Sequence, residues 1–174
     1  MRVALLIVLG LVALAGVIAL VGSALPRGHR ASSRVTLKAP PAAVWAVVRD
    51  PGALLGTWTE LKSSRRLPDR NGKELWEQNA GGFAMRLIVE EAVPPSRLVT
   101  RIDAEPGAAF GGTWTYELAP EQSGTRLTVT EDGYVSNPVF RVLMRVMGTH
   151  RTADGYLRAL GTKLSESVSP EHVK

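Results

Sequence analysis

The sequence predicts an α+β fold, in which an antiparallel sheet is covered by a long C-terminal helix and preceded by an apolar N-terminal helix. Three observations predict it. Charge is absent from Val3 to Leu25, turn signals punctuate residues 61–134 at short spacing without a helical period, and apolar residues recur at helical spacing after Asn137-Pro138. A chain of 174 residues has room for one hydrophobic core of ordinary size.

The N-terminal segment is long enough to span a membrane. Val3–Leu25 is a run of 23 uncharged residues, which as a helix reaches about 34 Å against a hydrocarbon core of about 30 Å. We therefore expect residues 1–25 to form a transmembrane anchor. A cleaved signal peptide is the alternative, with Ser23 and Ala24 at the cleavage site, although the apolar stretch of a signal peptide usually has about 7–15 residues.

Basic residues after the apolar run predict its orientation. Four follow it closely: Arg27, Arg30, Arg34 and Lys38. Only Arg2 precedes it, so the positive-inside rule predicts a single-pass membrane protein whose soluble domain is cytoplasmic. Export of that domain by a signal anchor is the alternative, because the N-terminus is very short. We interpret residues 26–32 as a basic linker that lies against anionic headgroups.

Composition excludes several kinds of chemistry. The absence of cysteine excludes disulfides, thiolate metal sites and cysteine nucleophiles. His29 and His172 fall in the expected linker and tail, so one domain histidine remains, and we expect no metal and no cofactor. The net charge of +5 is explained by the linker rather than by nucleic acid, because the other basic residues lack interleaved aromatic ones.

The soluble part begins with a short strand and a helix. Val35 and Leu37 alternate with polar residues, Pro41 opens a helix with one apolar side, and Asp50-Pro51-Gly52 ends it. A second short helical turn is expected through Leu54 and Leu55. Six strands follow, at about 61–67, 73–79, 83–91, 97–104, 112–119 and 125–132.

The C-terminal segment reads as one long helix. Asn137 supplies an N-cap, Pro138 fits the first turn, and the pattern continues to about Ser167, followed by a tail at 168–174. At 100° per residue, eight apolar residues share one stripe: Val139, Val142, Leu143, Val146, Ala153, Leu157, Leu160 and Leu164. A helix of about 30 residues is long enough to cross the whole sheet.

This order of elements resembles the helix-grip fold of the START-like, Bet v 1-like (SRPBCC) ligand-binding superfamily, which includes the polyketide cyclase and dehydrase group. The resemblance covers residues 33–167. It is carried by the opening stretch from Val35 to Trp45, Gly112-Thr113-Trp114-Thr115-Tyr116, the strand from Thr125 to Glu131, and Asn137-Pro138. It implies an apolar cavity between the sheet and the long helix, and a hydrophobic small molecule or lipid as the ligand.

Large side chains are expected near that cavity: Trp76, Phe83, Met85, Trp114, Tyr116 and Met147. Ordinary core packing is the alternative for each. Two polar residues fall among apolar ones. His150 lies at the centre of the helical stripe and is a candidate ligand-binding residue, and Glu131 shares the inward parity of Leu127 and Val129. Both are candidates for acid-base chemistry on a bound carbonyl.

Ordinary structural contacts, without a catalytic role, are the alternative for these two residues. His150 can hydrogen-bond a backbone carbonyl or be held by Asp154 one turn later, and Glu131 can turn to solvent near its strand end.

The expected function is a membrane-tethered module that binds a hydrophobic small molecule or lipid. A cyclase- or dehydrase-type enzyme that uses His150 and Glu131 is the first alternative. The second is an interaction domain resembling the co-chaperones of the same superfamily, which predicts a filled core and an exposed apolar patch.

Overall fold

The computed structural model describes residues 2–173. Its helices and strands follow in chain order: α1 (Arg2–Ala24), β1 (Gly28–Leu37), α2 (Pro41–Arg49), β2 (Leu61–Arg70), β3 (Lys73–Ala80), β4 (Phe83–Val93), β5 (Arg97–Ile102), β6 (Phe110–Glu121), β7 (Gly124–Val135), α3 (Pro138–Met147), α4 (Arg151–Lys163) and β8 (Glu171–Val173). All six strands expected between residues 61 and 132 are present.

The strands form one curved antiparallel sheet in the order β2-β3-β4-β5-β6-β7-β1-β8. Strands β2 to β7 are a meander, and β1 is added beside β7 from a distant part of the chain. Its register runs from Gly28 opposite Tyr134 to Leu37 opposite Thr125. The expected α+β helix-grip architecture is confirmed.

The core lies between the sheet and the two helices on its concave face. Val44 and Val48 enter it from α2, and Leu157 and Leu160 enter it from α4. They meet sheet residues that are almost fully buried: Leu37, Leu98, Leu127 and Val129. Each such aliphatic side chain contributes about 1.5–3 kcal/mol when it leaves water, so this layer contributes strongly to the stability of the domain.

Residues 28–32, expected in the linker, belong to β1. His29, Ala31 and Ser33 point to the concave face while the residues between them face outward. This stretch lacks an apolar run, yet its backbone pairs with β7, and the Ser32 hydroxyl lies 2.9 Å from that of Thr130. The expected tail also contains a strand, β8, which pairs with β1. The short helical turn expected through Leu54 and Leu55 is present, since Leu55 N donates to Gly52 O at 3.1 Å and Trp58 N donates to Leu54 O at 2.9 Å, although residues 51–57 form no regular helix.

The single long C-terminal helix is a wrong prediction. The chain forms α3 and α4, separated at residues 148–150, where Gly148 adopts a φ of 89°. Residues 148–152 carry no aliphatic side chain, and a glycine within a helix is entropically unfavourable, so a helix gains little by continuing through them. Only the α4 half of the expected stripe is buried in the core.

A buried arginine joins α3 to the end of α1. Arg141 is 9% exposed, and its Nη1 donates to the carbonyl oxygens of Gly22 and Leu25, each at 2.8 Å. Its Nη2 donates to Ser136 O at 3.0 Å. The last carbonyls of a helix lack partners within it and carry partial negative charge, so they solvate the guanidinium.

Gly22 permits this close approach. A Cβ atom at Gly22 would lie 2.0 Å from the carbonyl oxygen of Pro138, whereas a Cβ at Gly16 would meet nothing within 4 Å. The two glycines occupy the same apolar helix, but only Gly22 lies where the backbone of α3 crosses it.

Gly22→Ala should therefore destabilise the protein while Gly16→Ala should not. A methyl group at residue 22 forces α1 and α3 apart, at a cost of about 2 kcal/mol or more, or roughly 4–8 °C in the thermal midpoint. At residue 16 alanine improves helix propensity without a clash. Thermal unfolding of both full-length variants in the same detergent tests this, and equal midpoints would show that the contact is unimportant.

Candidate functional site

A pocket lies between the sheet, the turns after α2, and α4. Its floor comes from Leu87, Leu98 and Thr100 of the sheet, and its walls from Leu54, Tyr116 and Tyr156. Its volume is about 50 Å³, far below the roughly 300–1,000 Å³ of pockets that hold drug-sized ligands. In this conformation it has no room for a drug-sized ligand.

Aromatic rings form one wall of this pocket. Tyr156 of α4 is the centre of the group, with ring centroids 5.4 Å from Tyr116, 5.6 Å from Trp58 and 6.0 Å from Trp114. Burial raises the pKa values of Tyr116 and Tyr156, so both hydroxyls stay protonated at neutral pH. The arrangement is an apolar wall that carries neutral hydrogen-bonding groups.

Trp58 carries an unpaired donor beside this wall. Its Nε1 is buried and has no hydrogen-bond partner among the described residues. The indole reaches α4 at Gly155, where an added Cβ would come within 3.4 Å of Nε1. A buried donor without a partner is costly, and an acceptor that reached it would remove that cost.

Polar contacts hold the turns at the rim of the pocket. Gln78 Nε2 donates to Pro51 O at 2.6 Å, and Gly52 N donates to Asp50 Oδ1 at 2.8 Å. Nearby, Arg49 pairs with Glu74, and this contact lowers the pKa of the Glu74 carboxyl. These contacts tie α2 and the following turns to β3.

The expected cavity residues lie in different places. Tyr116 lines the pocket and Trp114 packs behind it. Trp76 donates to Glu74 Oε1 at 2.7 Å under the Arg66 guanidinium, and Met85 is half-buried opposite Gln78.

Two more of these side chains are largely exposed. Phe83 is 49% exposed and packs edge-on against Phe110 at 5.3 Å, and Met147 is 54% exposed on α3. Neither lines the pocket.

Glu131 has the inward orientation that its strand parity indicated. It lies opposite Trp114 on one side and Ala31 on the other. His29 Nε2 lies 3.0 Å from Glu131 Oε1, and the second carboxyl oxygen is buried without a partner among residues 2–173. Glu131 therefore faces the interior next to a histidine from β1, outside the pocket.

His150 belongs to a second polar cluster, at the start of α4. Its Nδ1 is 3.2 Å from Ser33 Oγ, and that hydroxyl donates to Asp154 Oδ1 at 2.7 Å. Because the serine proton points to the carboxylate, His150 Nδ1 is the donor of the first bond. His172 of β8 stacks on His150 at 3.8 Å and contacts Asp154 Oδ2 at 3.0 Å.

This cluster does not form a nucleophilic triad. Ser33 is fully buried. Its hydroxyl donates to the Asp154 carboxylate and accepts from His150, whereas an activated serine donates its proton to the histidine. Within the described residues, no three histidine, aspartate or glutamate side chains are placed to hold a metal ion. The cluster instead fixes β8 and the start of α4 to β1.

Sequence reasoning missed three residues of these clusters. His29 and His172 lie in the expected linker and tail. Only strand pairing between distant parts of the chain brings His29 to Glu131 and His172 to His150 and Asp154. Tyr156 had a detectable signal, since it lies three residues after Ala153 and four before Leu160, on the buried face of α4.

An antiparallel sheet closed by a C-terminal helix over an aromatic pocket defines a helix-grip domain. Residues 28–164 match the family described as polyketide cyclase / dehydrase and lipid transport. The chain therefore belongs to that family. None of the curated proteins is similar enough to this chain to match it.

Solved structures share this fold. The Zhui aromatase/cyclase from a Streptomyces species has a TM-score of 0.63 at 16% identity, over 79% of this chain and 94% of that one. A conserved protein from Geobacillus kaustophilus has a TM-score of 0.62 at 19% identity, over 83% and 100%.

The di-domain ARO/CYC StfQ from the steffimycin biosynthetic pathway has a TM-score of 0.61 at 9% identity, over 76% of this chain. This chain spans 50% of that protein's length. At these identities the similarity concerns the fold alone.

Acid should destabilise the domain through His150. Burial and the neighbouring His172 lower the pKa of His150 below its ordinary 6.5, against the opposing effect of Asp154 and Glu131. The unfolded chain then binds a proton before the folded one, so stability is fully present above about pH 6.5 and falls as pH drops from there towards the folded pKa.

Chemical unfolding of the wild type and His150→Phe between about pH 7.5 and 5.5 measures this contribution. Phenylalanine keeps a ring against His172 but cannot titrate, so the variant should lose less stability across the range. Identical slopes would contradict the role of His150.

Proposed function

We propose that this protein is a membrane-tethered domain that binds a hydrophobic small molecule or lipid in the pocket between the sheet and α4. The pocket's aromatic and aliphatic lining carries the proposal, because such surfaces with a few neutral polar groups are typical of ligand sites. Membership in a family of cyclases, dehydrases and lipid-transport proteins supports the same class of ligand.

Ligand entry requires the pocket to open. Residues 51–60 contain no regular helix or strand, and Leu54 is their only buried residue. The Gln78 contact to Pro51 is a side-chain hydrogen bond between these turns and the sheet. Segments with few buried contacts open at low cost, so displacement of these turns would enlarge the pocket and bring ligand beside Tyr116 and Trp58.

The tether rests on α1 and on its integration into the domain. The helix has 23 residues and is long and apolar enough to cross a membrane, although signal sequences share these properties. Cleavage after Ala24 would separate Gly22, an acceptor of the buried Arg141, from the domain. Loss of one partner of a buried charge is strongly destabilising, which favours retention of α1. The basic flank favours a cytoplasmic domain.

A cyclase- or dehydrase-type activity that uses His150 and Glu131 has less support. Neither residue lines the pocket, and each is engaged by other side chains. A general acid or base has to reach the proton it transfers, directly or through one water.

Filling the pocket should weaken ligand binding. Leu87 is half-buried on the pocket floor, so Leu87→Trp occupies the space, whereas Leu55→Trp, at a 43% exposed residue on the adjoining turns, does not. Full-length protein in nanodiscs is illuminated with a diazirine-bearing fatty acid, and the labelled peptides are identified by mass spectrometry. We expect adducts at the pocket to fall about tenfold in Leu87→Trp, a loss of about 1.4 kcal/mol.

Adducts on α1 report contact with bulk lipid and serve as an internal standard. They should be equal in the wild type and both variants. Wild-type protein without pocket adducts, or equal pocket labelling in the two tryptophan variants, would rule out this binding site.

Retention of α1 should be visible in the mature protein. Full-length protein with a C-terminal tag should stay in the membrane fraction after an alkaline carbonate wash, and its intact mass should include residues 2–24. A soluble product that begins near Leu25 would identify α1 as a cleaved signal sequence and refute the tether.

A further inference from the structure

Helix α3 exposes an apolar face. Five large side chains of this ten-residue helix are exposed by 40–80%: Val139, Phe140, Leu143, Val146 and Met147. At 100° per residue they fall within an arc of about 120°, with Arg141 and Arg145 on the opposite side. Soluble helices bury such a face, so α3 requires an apolar partner.

The side of α3 that carries the arginines faces the domain. Arg141, Met144 and Arg145 border a groove whose other wall includes Gly28, His29 and Val135 of the sheet. The apolar face therefore points away from the domain, and neither the sheet nor α4 covers it.

The contact with α1 places α3 near the C-terminal end of α1. Helix α1 packs against α3, and within α1 the residues that are not fully exposed are Ile18, Ala19 and Gly22. At 1.5 Å per residue, Gly22 and Ile18 lie about 3 and 9 Å before the end of α1 at Ala24. If α1 spans a bilayer, this is the boundary between headgroups and acyl chains, where interfacial helices bury their apolar faces by about 5–10 Å.

We infer that α3 is an interfacial helix whose apolar face lies in the lipid bilayer beside α1. The inference rests on the proposed tether and extends it: the domain has two membrane contacts. Lipid is favoured as the occupant because the contact of Pro138 and Arg141 with Gly22 holds α3 beside the end of α1, at interfacial depth. Arg145, on the domain side of the helix, is then positioned near anionic headgroups.

Two contacts restrict the orientation of the domain. A single helix lets a domain rotate and tilt, whereas α1 and α3, joined through Arg141 and Gly22, hold one end of the sheet at the bilayer. Phe83 and Phe110 lie at that same end, where β4 and β6 begin beside the end of β7.

The absence of native cysteine permits a direct test on the full-length protein. Single cysteines at Leu143 and Val146 place an environment-sensitive fluorophore on the apolar face. Leu11→Cys reports on the middle of α1, and Arg158→Cys, at an exposed residue of α4, reports on the soluble domain. Each protein is reconstituted into phosphatidylcholine–phosphatidylglycerol vesicles with nitroxide-labelled lipids, shallow or deep in the acyl chain.

We expect shallow nitroxides to quench the Leu143→Cys and Val146→Cys labels several-fold more than the Arg158→Cys label. Deep nitroxides should quench the Leu11→Cys label. An unquenched Leu11→Cys label would refute the tether itself. If that label is quenched while the α3 labels behave like Arg158→Cys, the tether stands and the interfacial helix is refuted.

One further outcome would identify a protein partner instead. Labels on α3 whose emission shifts to the blue without nitroxide quenching would be covered by protein, either a second copy of this chain or another polypeptide. That result would overturn the assignment of lipid as the occupant.

Discussion

The pairing of β1 with β7 is the constraint on which the other features of this structure depend. It joins residues about a hundred apart in the chain, from Gly28 opposite Tyr134 to Leu37 opposite Thr125. Because α1 precedes β1 and α3 follows β7, this pairing places the end of α1 against the start of α3. It also aligns His29 with Glu131 and Ser33 with α4. Loop closure on this scale is entropically costly, and ten paired residues with a buried concave face offset it.

The break at Gly148 separates α3, which lies outside the core, from α4, which packs on the sheet. Before it, α3 stays outside the core, tied to α1 by Arg141. After it, α4 crosses the concave face and supplies Tyr156 to the aromatic wall. The stacked pair of His150 and His172 lies at this junction and holds the last strand against β1. One chain segment thus closes the pocket and supplies the surface that we assign to the bilayer.

Part of the candidate site follows from local periodicity. Alternation along β6 placed Trp114 and Tyr116 inward, and alternation along β7 placed Glu131 inward, as the structure shows. Helical spacing also marks Tyr156. The histidine partners of Glu131 and His150 could not be predicted, because His29 and His172 lie in polar stretches that only strand pairing brings into contact with them. The pocket volume depends on the fit of side chains from α2, β3, β5 and α4, and no single segment encodes that fit.

The sequence by itself determined the apolar helix α1, the six strands of the meander and the buried stripe of α4. Burial along a helix or strand repeats with the period of that element, and the apolar residues show this period directly. Tertiary structure decided that the long helical pattern breaks in two, that residues 28–32 of the expected linker belong to a strand, and that α1 and α3 are joined through Gly22 and Arg141. Each of these depends on a contact between distant segments. An apolar pattern shows that a face avoids water but does not identify what covers it.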